Sequence, residues 1–314
     1  MLEIVFLGTG SGIPTRERNH SAIWLHYGEE NMLWDCGEGT QRQMLFSGIN
    51  PMKIDNIFIT HWHADHWAGL IGYVQTMNFE GRKRPLYIHG PEAERFVADI
   101  LDLGHWGPGF KVIAKPVQYE KDEETTIYES EDFIITSIPV KHTVPTVAYC
   151  FKERDSWNVD VDGKGKRFGL KEGRMIGNLK KEGFLVIKDR KVTLEDVATV
   201  RKGVKAAYSG DTMPCDNVIE ISKDSDLMIV DSTFVENIED RMHGTLEEVI
   251  EMGNKANAKN IALTHFSRRY SDHDEIVKEA KKYKTKANVI VAEDMMKLVF
   301  RKKGLEIGKV GMKD

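Results

Sequence analysis

Residues 59–70 read ITHWHADHWAGL and bring together side chains that could hold a cation. His61, His63, Asp65 and His66 lie within this short stretch, although the whole chain of 314 residues has only 11 histidines. Crowded imidazoles lower one another's basicity unless an electron-poor group lies between them. The spacing therefore predicts a metal site.

Three more candidate ligands come directly after apolar, strand-like runs. FIITSIPVK precedes His142, KAAYSG precedes Asp211 and NIALT precedes His265, just as IFIT precedes the histidine cluster. The ends of neighbouring strands in a layered sheet lie side by side, on rigid supports. We therefore expect these side chains to converge at one edge of a sheet.

Seven candidate ligands are too many for one catalytic zinc ion, which takes about four ligands including water. They suit two ions if Asp211 bridges them. The first set is then His61, His63, His142 and Asp211, and the second set is Asp65, His66, Asp211 and His265. Imidazole and carboxylate without thiolate favour zinc, with manganese or iron as alternatives. Two ions about 3.5–4 Å apart suit phosphate cleavage, with Asp65 accepting a proton from the attacking water.

The rest of the pattern alternates strands with helices. Apolar runs typical of strands are EIVFLG, AIWLHY, NIFIT, LYIHG, FIITSI, VAYCF, KAAYSG, DLMIVD, NIALTH, NVIVAED and KLVFRK. Helical patterns cover residues 66–78, 245–256 and about 274–283, and Thr245 with Glu248 forms a capping box. Because no Pro- or Ser-rich linker interrupts them, we expect one layered α/β domain over residues 1–314.

Composition limits the class of protein. The 41% hydrophobic and 30% charged residues are ordinary for a globular chain. No apolar run approaches the roughly 18 residues that span a bilayer, and the first residues lack a basic leader. We therefore expect a cytoplasmic protein. The cysteines are few and far apart, which favours small buried side chains over disulfides; they are Cys36, Cys150 and Cys215.

Charge is unevenly distributed along the chain. Residues 152–191 contain 12 Lys and Arg against 7 Asp and Glu, a net charge of +5. Because the whole chain has a net charge of −5, the remaining residues carry −10. The segment has no clear hydrophobic period, which predicts a basic arm inserted at about 152–191. Such an arm could bind a polyanion. The alternative is a solvated loop with a charge bias.

Motifs along nearly the whole chain resemble the metallo-β-lactamase superfamily, and more closely its ribonuclease Z family, endonucleases that trim the 3′ trailer from precursor tRNA. The matching stretches are FLGTGSGIPTRERNHSA, WDCGEGTQRQM, ITHWHADHWAGL, VKHTVPTVAY, YSGDT and LTHFSRRY. The resemblance implies a four-layer αβ/βα sandwich with two mixed β-sheets and the metals at one edge. It also implies a homodimer in which the arm of one subunit clamps tRNA presented to the other.

The resemblance further implies a proton donor and a phosphate-binding surface. His243 in RMHGTLEE matches the family's proton donor, and Asp231 in VDSTF stands where the family has an orienting glutamate. Asp is one methylene shorter, so this pair requires a closer backbone. The arm reads GLKEGRMIGNLKKEG where relatives carry a Gly-Pro turn. Its basic side chains and one near His265 are candidate phosphate contacts: Arg174, Lys180, Lys181 and Arg268.

Two other functions fit parts of the same pattern. One is another dinuclear-metal hydrolase of the superfamily, such as a small-molecule phosphodiesterase. The other is a tRNA-binding protein with weakened catalysis, to which the altered glutamate and arm motifs point. Deleting the arm would separate the first alternative from tRNA cleavage, because a small phosphodiester does not need the arm.

Overall fold

The computed structural model describes residues 1–103, 107–171, 173–236, 238, 242–301 and 304–311. The chain forms two compact units. The first comprises Met1–Glu129, Ile135–Phe151 and Lys205–Asp314, and the second comprises Ser130–Ile134 and Lys152–Val204.

Both units contain strands. In chain order they are β1 (Leu2–Gly8), β2 (Ala22–Tyr27), β3 (Glu30–Trp34), β4 (Ile54–Phe58), β5 (Leu86–Gly90), β6 (Val112–Pro116), β7 (Thr125–Glu129), β8 (Phe133–Pro139), β9 (Val147–Glu153), β10 (Ser156–Val159), β11 (Phe184–Ile187), β12 (Arg190–Thr193), β13 (Ala198–Arg201), β14 (Lys205–Tyr208), β15 (Leu227–Asp231), β16 (Asn260–Thr264), β17 (Asn288–Val291), β18 (Met296–Arg301) and β19 (Gly304–Lys309).

Helices connect many of these strands. They are α1 (Thr40–Ser47), α2 (Ala64–Trp67), α3 (Gly69–Phe79), α4 (Ala93–Asp102), α5 (Arg174–Glu182), α6 (Leu194–Val197), α7 (Asp216–Ser222), α8 (Leu246–Lys255) and α9 (His273–Ala280). Short 3₁₀ turns cover Pro51–Lys53 and Gly165–Phe168.

The described residues form two large sheets. The strand order of the first is β19-β18-β1-β2-β3-β4-β5-β6, and that of the second is β17-β16-β15-β14-β9-β8-β7. Strands β3 to β6 run parallel to one another, whereas β1 pairs antiparallel with β2 and β18. Strands β14 to β17 are also parallel. Parallel strands end at the same edge of a sheet, so the loops that follow them meet there.

Alternation along the strands separates two packing surfaces. On β3, Leu33 belongs to an apolar cluster with α1, α3 and α4, whereas Trp34 stacks on Tyr208 of the second sheet at a centroid distance of 5.7 Å. Phe58 contacts Tyr149 across the same interface at 5.6 Å. Helices α8 and α9 cover β15 and β16. The αβ/βα sandwich with two mixed sheets, predicted from the resemblance, is confirmed.

The sequence predicted most elements near this core. Each apolar run named above contains a strand, and the capping box of α8 forms as expected. The helix predicted at 66–78 begins two residues earlier and is divided at Ala68 into α2 and α3. The division fits tight packing, because a Cβ at Gly69 would lie 2.2 Å from the carbonyl oxygen of Gly37. In the first unit, the sequence analysis did not predict strands β3, β6, β7 and β19 or helices α1, α4 and α7.

The second unit contains the segment predicted as a basic arm and continues to Val204. It has more regular structure than its sequence indicated. Strands β10 and β13 pair antiparallel, as do β11 and β12. Its small apolar core consists of Leu170, Leu179, Val192, Leu194, Val197 and Ala198.

Within the described part of the chain, no helix has both the length and the apolar character that crossing a membrane requires. The cysteines are free thiols; Cys36 and Cys150 are buried as expected, whereas Cys215 is only partly buried.

Candidate metal centre

The candidate ligands lie at the carboxyl ends of strands from both large sheets. The loop after β4 carries His61, and the loops after β8 and β14 carry His142 and Asp211. Asp231 is the last residue of β15, and His265 directly follows β16. Parallel strands support all of these positions except His142, which explains why residues far apart in sequence meet.

The first group comprises His61, His63, His142 and Asp211. One nitrogen or oxygen atom of each lies within 4.8 Å of the corresponding atoms of the others. His142 Nε2 is 3.2 Å from His63 Nδ1, and His61 Nε2 is 3.7 Å from Asp211 Oδ2. The structure thus brings together the four side chains that the sequence assigned to one ion.

The second group comprises Asp65, His66, Asp211 and His265, again within 4.8 Å. The Nε2 atoms of His66 and His265 are 3.2 Å apart, and each is 3.2 Å from Asp211 Oδ1. Asp65 Oδ2 lies 3.6 Å and 3.4 Å from the same two nitrogens. Asp211 therefore presents a different oxygen to each group, as a bridging carboxylate would.

Two atoms in these groups fit a cation better than they fit a protein partner. His61 Nε2 and Asp211 Oδ1 are buried, and neither makes a hydrogen bond within the described residues. Buried polar atoms nearly always have a hydrogen-bond partner. Lone pairs of imidazole and carboxylate that face one another without a proton between them are the donor set of a divalent ion.

The ring nitrogens that face away from the groups are held by other partners. His142 Nδ1 lies 3.3 Å from the carbonyl oxygen of Met242, and His265 Nδ1 lies 2.8 Å from Thr233 Oγ1. Such contacts fix the orientation of a metal-binding imidazole. His265 also has a positive φ of 62°, a conformation that is uncommon for non-glycine residues.

The electrostatics of the second group favour positive charge. Burial alone lowers the pKa of His66, but Asp211, Asp35 and Asp65 outweigh it and hold the pKa well above its ordinary value. Burial also opposes protonation of His265, yet the carboxylates, with Asp211 the strongest, raise its pKa to about 10. Carboxylates that attract a proton in this way attract a divalent cation for the same reason.

Asp211 and His61 show the complementary effects. Burial raises the pKa of Asp211, but the imidazoles of His265, His66 and His61 hold it well below its ordinary value. Burial and the neighbouring His66 lower the pKa of His61 well below its usual range. An ionised carboxylate beside a neutral imidazole is what metal coordination requires.

A third group places His243 and Asp231 beside the candidate ions. Asp211, Asp231, His243 and His265 each offer an atom within 4.8 Å of the others. His243 Nδ1 lies 2.7 Å from Asp231 Oδ2, while Asp231 Oδ1 accepts hydrogen bonds from the backbone and hydroxyl of Thr233. The shorter aspartate therefore reaches His243. The imidazole remains 21% exposed, so it is accessible from solvent.

The basic residues predicted to contact phosphate lie on two different units. Arg174, Lys180 and Lys181 are exposed on α5 of the second unit. Arg268 is exposed in the first unit, shortly after His265. Exposure suits phosphate contact but does not by itself assign that role.

Comparison with known proteins covers the whole chain. A family model described as Anti-Pycsar protein Apyc1 matches residues 2–161, and one described as Beta-lactamase superfamily domain matches residues 189–266. A ribonuclease Z of Thermococcus gammatolerans is 39% identical over 307 residues, covering 96% of each chain. A ribonuclease Z of Methanothermobacter thermautotrophicus is 38% identical over 302 residues, covering 94% of this chain and 96% of that protein.

The relatives that match along the whole length decide the family, because the first family model ends at residue 161. The chain belongs to the ribonuclease Z family. The crystal structure of human tRNase Z, short form, has the same fold, with a TM-score of 0.68 at 23% identity over 95% of this chain and 99% of that one. The resemblance noted from sequence motifs is confirmed.

Membership in the ribonuclease Z family and the paired His and Asp groups indicate a hydrolase that depends on divalent metal ions.

Sequence reasoning missed some residues that support the site. Asp35 lies in the quoted motif WDCGEGTQRQM, and Thr60 lies directly before His61, but neither position has a spacing that predicts contact with a ligand. His89 also lies near the end of an apolar run, LYIHG. It is buried, hydrogen-bonds Asn56 at 3.0 Å and belongs to none of the metal groups.

Proposed function

We propose that this protein is a zinc-dependent endoribonuclease that hydrolyses the phosphodiester at the 3′ trailer of precursor tRNA. The observation that carries the proposal is the pair of four-residue groups that share Asp211, in a chain related along its whole length to proteins named ribonuclease Z. Two zinc ions are the preferred metals because the groups contain imidazole and carboxylate without thiolate.

In this proposal some residues bind the metal ions and others transfer protons. The first group would hold one ion and the second group the other. When bound, a pair of divalent ions supplies polarisation of the phosphoryl group and lowers the pKa of water. Asp65 Oδ2 accepts a hydrogen bond from the backbone N–H of Gly12 at 2.7 Å, which fixes the carboxylate where it can receive a proton from that water.

His243 donates the proton to the leaving ribose oxygen in this proposal. Asp231 accepts a hydrogen bond from Nδ1 of His243, which orients the ring. Burial lowers the pKa of His243, but the Asp231 carboxylate outweighs it and raises that pKa above its ordinary value. A positioned acid of this kind contributes about 10²–10⁴ in rate when the leaving group is a poor one.

The proposal extends to the partners and the compartment. The exposed lysines of α5 would contact the tRNA backbone, because phosphate contacts supply most of the affinity for nucleic acid. A homodimer and a cytoplasmic location are part of the same proposal.

The test compares two substrates and two variants. End-labelled precursor tRNA and bis(p-nitrophenyl) phosphate are incubated with zinc-loaded protein, and the metal content is measured by elemental analysis. We expect cleavage of the tRNA at its 3′ trailer and about two ions per chain. His63→Ala should lose at least one ion and both activities. His243→Ala should keep both ions and lose tRNA cleavage by about 10²–10⁴, but change p-nitrophenol release less than tenfold, because nitrophenolate leaves without a proton.

Three outcomes contradict the proposal. Precursor tRNA left intact while the small phosphodiester is hydrolysed would identify another hydrolase of the superfamily. Tight tRNA binding without turnover of either substrate would indicate a binding protein. Equal losses on both substrates in His243→Ala would remove His243 as the proton donor.

A further inference from the structure

Asp35 is a buried carboxylate that contacts His66 of the second metal group and Thr60, which directly precedes His61 of the first group. It directly follows β3, is fully buried, and has a positive φ of 57°. Its backbone N–H donates to the carbonyl oxygen of Phe58 at 2.9 Å, which places Asp35 at the same sheet edge as the loop after β4. Burying a carboxylate is costly unless hydrogen bonds satisfy it.

Four donors satisfy Asp35. Its Oδ1 accepts from the backbone N–H of Thr60 at 2.8 Å, and its Oδ2 accepts from the hydroxyl of Tyr208 at 2.8 Å. The Thr60 hydroxyl lies 3.1 Å and 3.0 Å from Oδ1 and Oδ2. The fourth donor is His66, whose Nδ1 lies 2.7 Å from Oδ2. The carboxylate of Asp35 is therefore the acceptor in all four of these contacts.

The contact with His66 determines where its proton lies. Asp35 offers only lone pairs, so the proton between them is on Nδ1 of His66. With its proton on Nδ1 held by Asp35, the ring can offer a lone pair to a cation only through Nε2, and this is the atom that faces Asp211 and His265 at 3.2 Å. Asp35 thus presents Nε2 of His66 to the second group.

The contact with Thr60 carries the same effect to His61. A hydroxyl has one proton, and when Thr60 donates it to Asp35 its oxygen accepts from Nδ1 of His61, 3.1 Å away. His61 then carries its proton on Nδ1 and keeps the lone pair on Nε2. That buried nitrogen has no hydrogen-bond partner in the described residues and lies 3.7 Å from Asp211.

We propose that Asp35 is a positioning residue that fixes the tautomers of His61 and His66 and thereby prepares one ligand for each ion. The inference rests on the metal sites of the proposed function. Through Thr60 and His66, the carboxylate of Asp35 connects the two groups from outside, whereas Asp211 belongs to both groups. Partners of this kind typically change metal affinity by about 10–100-fold.

Three variants separate this role from simple burial. Asp35→Asn replaces one acceptor oxygen by a donor and removes the negative charge towards which both His66 and the Thr60 hydroxyl donate. Thr60→Val keeps the volume and the backbone donor but removes the link to His61. Tyr208→Phe is the matched control, because it removes one donor to Asp35 that leads to neither group.

The readout is zinc affinity, measured by competition with a chromophoric chelator on the full chain, together with ¹⁵N NMR of histidine-labelled, zinc-loaded protein. We expect Asp35→Asn to weaken both ions by about 10–100-fold and Thr60→Val to weaken only one. Tyr208→Phe should stay within twofold of the wild type. The wild-type spectrum should show protons on Nδ1 of His61 and His66, and the His66 signal should change in Asp35→Asn.

The proposal is overturned if Asp35→Asn retains both ions within twofold of the wild type, or if Thr60→Val weakens neither ion or both equally. Failure of the proposed function looks different. Wild-type protein would then bind two ions and leave precursor tRNA uncut, while the effects of the three variants on zinc affinity would persist.

Discussion

At the scale of single residues, Asp211 is the side chain that the two metal groups share. Its Oδ2 faces His61 at 3.7 Å, whereas its Oδ1 faces His66 and His265 at 3.2 Å. A carboxylate can use its two oxygens for two cations at once, which a single imidazole does not do here. Binding of the two ions should therefore be coupled through the charge and position of one side chain.

His89 gives a prediction of stability against pH. Burial, and then the nearby Lys115, lower the pKa of His89 to about 3. Because the unfolded value is about 6.5, this group stabilises the folded state above pH 6.5, and that contribution is lost as the pH falls towards 3. The loss amounts to about 1.4 kcal/mol per pH unit.

The variant His89→Gln keeps a donor for Asn56 but cannot titrate. We measure the free energy of unfolding of both proteins by denaturant titration at several pH values. Between pH 6.5 and pH 5, the wild type should lose about 2 kcal/mol more than the variant. The two proteins should show the same slope above pH 7. Parallel curves over the whole range would show that His89 does not titrate in this way.

At the scale of elements, the start of α8 positions the proposed proton donor. Thr245 caps the helix, and its backbone N–H donates to Glu248 Oε2 at 3.1 Å, while the Glu248 backbone N–H lies 3.4 Å from the Thr245 hydroxyl. His243 lies two residues before this cap. A Cβ at Gly244 would lie 2.7 Å from a methyl group of Val249, so the chain enters the helix along a tightly defined path.

Removing the cap should loosen this path. Thr245→Ala deletes the side-chain acceptor of the capping box, which we expect to lower the free energy of unfolding by about 1 kcal/mol, as measured by chemical denaturation. Glu251→Ala on the same helix is the matched control. Glu251 is 60% exposed and forms an ion pair with Lys255 on the helix surface. Exposed pairs of this kind contribute little, so its loss should lower the free energy of unfolding less than Thr245→Ala does. Equal effects of the two substitutions would contradict the capping role.

The sequence predicted this helix because the capping box and the apolar period occur within a few residues of each other. It likewise predicted the seven metal-group residues, because each combines a suitable side chain with a preceding strand. It could not predict Asp35, because its contacts depend on parallel pairing of β3 and β4 and on a tertiary contact with Tyr208. Strand β3 itself, ENMLW, was missed because it is short and begins with two polar residues.

At the scale of the whole molecule, charge and structure divide the chain in different ways. The net charge is −5, yet residues 152–191 carry +5. The second unit extends to Val204 and has its own apolar core. The single domain with a basic insertion remains a prediction. The proposed role of the insertion in binding tRNA can be tested at the exposed lysines of α5.

Reversing the charge of α5 should separate tRNA binding from the chemistry of the metal centre. We expect Lys180→Glu/Lys181→Glu to weaken binding of precursor tRNA, because each lost phosphate contact lowers the slope of log affinity against log salt by roughly 0.7–0.9. For two lost contacts the slope should fall by about 1.4–1.8, as measured by filter binding over a salt series, while hydrolysis of bis(p-nitrophenyl) phosphate stays within twofold. Lys281→Glu/Lys284→Glu makes the same change of net charge at two other exposed lysines. If both double variants reduced the slope equally, net charge rather than α5 would account for binding, and the phosphate-binding role of α5 would be wrong.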